Sequence, residues 1–201
     1  ESLPENQVLV GIATTKYYSP FLTVLGGGSW FETIYKAEEI GKAGNIAEIA
    51  FSYKDGAQTT ADINIYLTET TKTEFANPGD LSLVENLTLV YSGTGVTLCD
   101  SAWETFVLDT PFNYSGENNL LLVVTTANTS GSNNWNCYTG DANTVLIKDF
   151  GLDTKKPVMM LTYAEGGETP EPTAKAYRLE SVGTAWGNTA YTYDEENANR
   201  V

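Results

Sequence analysis

The sequence predicts an all-β protein, a β-sandwich or jelly roll followed by a short hairpin-like tail. Three observations carry this expectation. About nine short runs of strand character are spread over residues 8–163, with a single helical turn among them. Turn formers separate the runs: 18 Gly occur in 201 residues, beside abundant Thr, Asn and Ser. Residues that suit a pleated surface are plentiful, 12 Tyr among them. The spacing is too irregular for a repeat solenoid. A lipid-facing barrel would need steadier alternation.

Residues 8–13 (VLVGIA) are the first expected strand and 29–35 (SWFETIY) the second. Tyr17-Tyr18-Ser19-Pro20 and Gly26-Gly27-Gly28 mark irregular chain between them. The triple glycine is followed by no Lys-Ser/Thr pair and no helical pattern, so it is not a phosphate loop. Lys36–Ile40 is one helical turn, stopped by Gly41. In 45–53 (NIAEIAFSY) the residues Ile49, Phe51 and Tyr53 share a face. In 62–68 (DINIYLT) Ile63, Ile65 and Leu67 face in, while Asn64, Tyr66 and Thr68 face out. Asn77-Pro78-Gly79-Asp80 is a turn. Strands follow at 87–92, 102–108, 119–126, 135–139 and 157–163. The run 119–126 (NLLLVVTT) is continuously apolar through its centre, which predicts a central strand covered on both faces.

Composition changes at Glu165. Residues 1–164 are expected to form the sandwich and 165–176 (EGGETPEPTAKA) a linker. Residues 177–201 are expected to be a tail, either a hairpin or the cut-off start of a second β domain. Twenty-five residues cannot build a core alone. The first residues, Glu1-Ser2-Leu3-Pro4, lack an initiator Met and any basic or apolar leader, as in a mature or trimmed chain. The Thr/Asn/Tyr/Gly-rich, Lys-poor composition points to a secreted or cell-surface protein.

Charge and residue usage narrow the function classes. The net charge is −15, from 11 Lys and Arg against 26 Asp and Glu. Such a field repels phosphate backbones and anionic membranes, so nucleic acid is not an expected partner. No apolar run is long enough to span a bilayer. There are no histidines. That removes Ser–His–Asp and Cys–His nucleophile systems and His-ligated metals, and leaves carboxylate, lysine and calcium chemistry.

Several segments form an ordered series. Ile34-Tyr35 leads into Ala37-Glu38-Glu39-Ile40-Gly41, and a Gly-x-Ile-x-x-Ile-Ala-Phe strand follows from Gly44 to Phe51. Ile65-Tyr66-Leu67, Thr71 to Phe75, and Val90 to Gly93 continue the series. Trp103 to Val124 carries its longest stretch, with Leu108-Asp109-Thr110-Pro111-Phe112 at the centre. In this order the segments resemble the β-sandwich adhesin-like modules of secreted and surface proteins in gut and oral Bacteroidetes, over about residues 8–163. The resemblance implies a jelly-roll or galactose-binding-like sandwich in a larger exported chain, similar to cleaved adhesin domains that bind calcium in some members. In the tail, Tyr191-Thr192-Tyr193-Asp194 and Asn199 resemble the opening of a hairpin repeat. Asp100-Ser101-Ala102 resembles the O-glycosylation tripeptide of that phylum. Pro111 suits a strand exit, and Trp103 and Phe112 are core-sized residues, so the match speaks for fold more than for a site.

The expected function is therefore non-catalytic: a module for cell adhesion or glycan binding, with a host or dietary glycan or a surface protein as partner, beside neighbouring domains of a larger chain. The alternatives are a structural spacer in such a chain and a carboxylate-based glycoside hydrolase. Asn133, Asn134, Trp135 and Tyr138 are the candidate ligand residues, since an aromatic face and planar amides are what a sugar needs. Packing of Trp135 and Tyr138 into the sandwich is the competing reading, and Trp30, Trp103 and Trp186 read as core or interface residues. For a hydrolase the acids on offer are Glu38-Glu39, which diverge on a helical turn, and Asp194-Glu195-Glu196. No cofactor is expected. Calcium binding is left open, with oxygens at Asn77–Asp80, Asp141–Asn143 and Asp149–Asp153 but no EF-hand spacing. Cys99 and Cys137 either form a disulfide or remain two partly buried thiols, and geometry decides. Neither has a His or a nearby Lys to activate it. The sequons at Asn86, Asn113 and Asn128 are chance matches in a chain this rich in Asn and Thr.

Overall fold

The computed structural model describes residues 2–18, 20, 21, 28–129, 131 and 133–164. The expected linker and tail, with Trp186 and the acids at 194–196, lie outside the described residues. In chain order the strands are β1 (Gln7–Val10), β2 (Thr15–Tyr17), β3 (Ser29–Tyr35), β4 (Gly44–Gly56), β5 (Thr59–Thr70), β6 (Thr88–Leu98), β7 (Trp103–Tyr114), β8 (Asn119–Ala127), β9 (Asn133–Thr139), β10 (Val145–Ile147), β11 (Gly151–Asp153), β12 (Lys155–Pro157) and β13 (Met159–Tyr163). They form two antiparallel sheets, as an all-β sandwich requires. One has seven strands, in the order β1-β13-β4-β9-β12, with β7 also on β4 and β2 also on β9. The other has six, in the order β11-β10-β3-β8-β5-β6. No helix among the described residues is long and apolar enough to cross a membrane.

Period-two alternation builds the core between the sheets. The six-stranded sheet contributes Phe31, Tyr35, Ile63, Ile65, Leu67, Leu120, Leu122 and Val124. Ile46, Ile49, Phe51, Phe106, Trp135, Met159 and Leu161 meet them from the seven-stranded sheet. The inward set expected on β5 is the set observed, and Tyr53 joins Ile49 and Phe51 against the core. Residues of opposite parity on the six-stranded sheet form a second cluster on its outer face. Ile34, Leu121, Val123 and Leu146 pack there with Phe75, which comes from the long connection between β5 and β6. β8 is thus apolar through its centre because both of its faces are covered.

Between β3 and β4 the helical turn α1 (Ala37–Ile40) ends as expected. Gly41 adopts the left-handed conformation at φ 65° and its N–H donates to Ala37 O. The carboxylate of Glu39 accepts the N–H of Lys36 at 2.6 Å, which satisfies a donor at the start of the turn.

Among the described residues thirteen strands replace the expected nine or so. β2, β10, β11 and β12 have three residues each, too short for any alternation to register in the sequence. Pro111 does not end its strand. It lies in β7 where the register against β4 shifts between Ile46 and Glu48. An edge strand with an irregularity tolerates a residue without an N–H. Trp103 is half-buried and belongs to neither cluster, while Phe112 packs on the main core.

Candidate functional site

The four residues expected to hold a ligand do not converge. Strand alternation along β9 buries Asn133, Trp135 and Cys137 and turns Asn134, Asn136 and Tyr138 the other way. Trp135 has no exposed surface. Its ring lies edge-on to Phe21 at 4.9 Å and to Tyr53 at 5.8 Å, and its Nε1 donates to Asn133 Oδ1 at 3.0 Å. Asn133 in turn donates to Thr59 Oγ1 at 2.9 Å. A sugar cannot stack on an indole enclosed in this way, so the expectation for Trp135 and Asn133 is corrected: they are core. Asn134 donates to Asp55 Oδ1 at 2.7 Å, beside the Lys16–Asp55 ion pair.

Tyr138 belongs to a clasp around α1. Its hydroxyl donates to Glu39 Oε1 at 3.1 Å. The opposite oxygen of Glu39 takes Lys156 Nζ at 2.5 Å, and the Lys156 side chain is 1% exposed. That ammonium also lies over the rings of Tyr35 at 4.9 Å and Tyr138 at 5.4 Å. Burial holds the Lys156 pKa below its ordinary value against the pull of Glu39. Burial also raises the phenol of Tyr138, with the Glu39 charge adding to the effect. The Tyr138 ring lies so close to Gly11 (φ 88°) that a Cβ there would be 2.2 Å from it. Each group of the clasp is consumed by its neighbours. Glu38 is exposed and diverges from Glu39, as expected.

The cysteines are not joined. The Cys99 thiol bonds the Asn133 side chain, and Cys137 lies four residues further along β9. Four residues of strand span about 13 Å. A disulfide needs Cα atoms within about 7 Å. Burial pushes the Cys99 thiol up to about 11.

Of the acids considered for calcium, Asp80, Asp141 and Asp153 are engaged locally. Asp141 pairs with Lys36, and Asp153 accepts the backbone N–H groups of Thr154 and Lys155 and pairs with the Lys155 ammonium. Asp80 and Asn77 close their own turn. No group of three or more acidic or Cys side chains suited to a metal occurs among the described residues.

A different place gathers the chemistry expected at β9. At one end of the six-stranded sheet, β3, β8 and the β10–β11 turn enclose a cleft of about 230 Å³, lined by Gly28, Ser29, Trp30, Thr125, Thr126, Lys148 and Asp149. Trp30 opposes Thr125 in the β3–β8 register, and Ser29 opposes Thr126 with their hydroxyls 2.8 Å apart. Lys148 N–H donates to Trp30 O at 3.0 Å, which holds the turn against β3. Asp149 sits in the left-handed region at φ 68°. Gly28 (φ 106°) is required, because a Cβ would lie 2.4 Å from Thr126 O.

The indole of Trp30 is held from below. Its Nε1 donates to Glu32 Oε1 at 2.7 Å. Glu32 is wholly buried, and it also accepts the N–H and the hydroxyl of Ser82, each at 2.7 Å. One carboxylate thus pins both the indole and the segment that covers the outer face. Trp30 packs on the second cluster and remains half-exposed. Two other clefts of about 370 Å³ have no aromatic lining: one is bordered by Thr14, Lys16 and Lys54, the other by Leu81, Leu83 and Leu87.

No protein-family model, curated protein or solved structure matches the chain.

Proposed function

We propose that the sandwich is a non-catalytic binding module of a secreted or cell-surface protein, and that it holds an uncharged glycan in the cleft beside Trp30. One observation carries the reading: a hydrogen-bond-anchored, half-exposed indole shares a small cleft with hydroxyl, ammonium and carboxylate groups. A pyranose presents one apolar face of C–H groups, which suits an aromatic ring, and a rim of hydroxyls, each both donor and acceptor. Lys148 supplies donors to such a rim, Asp149 acceptors, and Ser29 and Thr125 both. With −15 overall, the chain gives an anionic ligand no general attraction. The segments shared with Bacteroidetes adhesin-like modules support an exported, multi-domain setting.

The test is retention on a panel of neutral glycans, followed by calorimetry with Trp30→Ala and Trp30→Phe. Wild type should bind weakly, since a shallow polar site must displace ordered water. Trp30→Ala should abolish binding, and Trp30→Phe should keep part of it. A wild-type chain that binds none of the panel would leave the spacer reading in its place.

A further inference from the structure

We propose that the ligand is a chain of sugars, and that it crosses the strands along the row Trp30, Thr125, Asn64, Ser92. This rests on the reading of the Trp30 cleft as a glycan site and extends it. The row follows from the pairing register. Trp30 opposes Thr125, Thr125 opposes Asn64, and Asn64 opposes Ser92. Their neighbours Phe31, Val124 and Ile65 point into the core, so the row lies on the outer face of the six-stranded sheet. Four adjacent strands span three intervals, about 14 Å.

This row is the part of the outer face left open beside the covering segment. In the next row inward Glu32 and Val123 are buried, while Tyr66 is half-buried and Leu89 is exposed at the edge strand. Trp30, Thr125 and Asn64 are half-exposed and Ser92 is exposed. Hydrogen bonds order the row from its far end: Ser92 Oγ donates to Asn64 Oδ1 at 2.7 Å, and Asn64 Nδ2 approaches Thr125 Oγ1 at 3.5 Å. Each group keeps capacity for a ligand, namely the Thr125 O–H, the second N–H of Asn64 and the lone pairs of Ser92.

Charge chooses the occupant. The row itself contains no ionised side chain. At its far end Asp109 accepts the Ser92 N–H, so the end remote from Lys148 is acidic. A polyanion would be repelled there, whereas a neutral polyhydroxyl chain is not. Size argues for the same extension. The cleft, at about 230 Å³, is smaller than the ~300–1,000 Å³ typical of sites that enclose a drug-sized ligand. It suits one ring, with the following rings laid along the row.

The experiment uses gluco- and galacto-oligosaccharides of one to four units, titrated into the protein and read by ligand-observed NMR. Affinity should rise about tenfold between one unit and three, the gain that two or three added hydrogen bonds supply, and then level off. Asn64→Ala and Ser92→Ala should each lower trisaccharide affinity toward that of the monosaccharide, with melting temperatures showing both variants folded. Ser92 is exposed, so its variant keeps the test decisive if Asn64→Ala misfolds. An affinity independent of chain length, or a trisaccharide indifferent to both substitutions, would overturn the track while leaving the cleft standing. Failure of every oligosaccharide and monosaccharide to bind would overturn both.

Discussion

Replacing Trp135 with alanine separates the two roles that its sequence context allowed. The side chain is fully enclosed and edge-on to Phe21 and Tyr53, so its removal leaves a cavity beside both rings. Truncations of this kind cost about 3–5 kcal/mol. The substitution also strips Asn133 Oδ1 of its indole donor inside the core, and an unsatisfied buried acceptor adds about 1–3 kcal/mol. The total, about 4–8 kcal/mol, takes much of the ~5–15 kcal/mol stability of an ordinary domain. For a domain of this size each kcal/mol moves the midpoint by about 2–4 °C, so the melting temperature should fall by roughly 8–32 °C. Thermal and urea denaturation of wild type, Trp135→Ala and Trp135→Phe read this directly, with the phenylalanine variant in between. A shift under about 2 °C would refute the core placement and return Trp135 to the surface.

Three further outcomes follow from the same packing. Burial raises the phenols of Tyr35, Tyr114, Tyr138 and Tyr163 above the ordinary value of 10.0. The folded state then holds protons that the unfolded chain releases, so stability should fall as pH rises past 10, by up to about 1.4 kcal/mol per pH unit per tyrosine. Lys156, lowered by burial from 10.5, works in the opposite direction below that value, but as one group against these tyrosines and the raised Cys99 thiol. Urea midpoints that stay level from about pH 8 to about pH 11 would contradict this linkage. Glu39→Gln leaves the Lys156 ammonium buried without its counter-charge and should cost about 3–5 kcal/mol. The double variant with Lys156→Met should recover much of that loss, and equal losses in both would show that the charge pair is not the cause. Alkylation in denaturant without reductant should add two adducts to the chain, one each at Cys99 and Cys137; no adducts would reveal a disulfide. Native Cys99 should react slowly at neutral pH, with its thiol near 11.

Local pattern made much of the fold legible. NLLLVVTT could satisfy apolar side chains on both faces only in a central strand, and β8 is one. DINIYLT alternates because its even-numbered positions meet the outer face and its odd-numbered ones the core. The stop at Gly41 followed from its backbone freedom alone. Strands of three residues carry no such signal: β10 is held by β3 and β12 by β9, while β11 pairs only with β10 beside it.

The site was harder to read for the same reason. Alternation in NNWNCYT separates Asn133 and Trp135 from Asn134 and Tyr138, but it does not say which set faces the core. The sandwich decides that by bringing Phe21 and Tyr53 against Trp135. In SWFETIY the pattern does place Trp30, Glu32 and Ile34 on one face, opposite Phe31 and Tyr35. A carboxylate two residues from an indole, on the face shared with Ile34, was the available sign that Trp30 is held in place. Its partners Thr125, Asn64 and Lys148 come from three other strand regions, so only the pairing register assembles them.

On the proposed reading a glycan meets Trp30 and not Trp135. The chain has four tryptophans, and the indole N–H signals can be assigned by substituting each in turn. Titration with a neutral oligosaccharide retained by the protein should shift the Trp30 indole progressively, while the Trp135 signal stays fixed and exchanges slowly with solvent. A ligand that moves the Trp135 signal and leaves Trp30 unchanged would contradict the account.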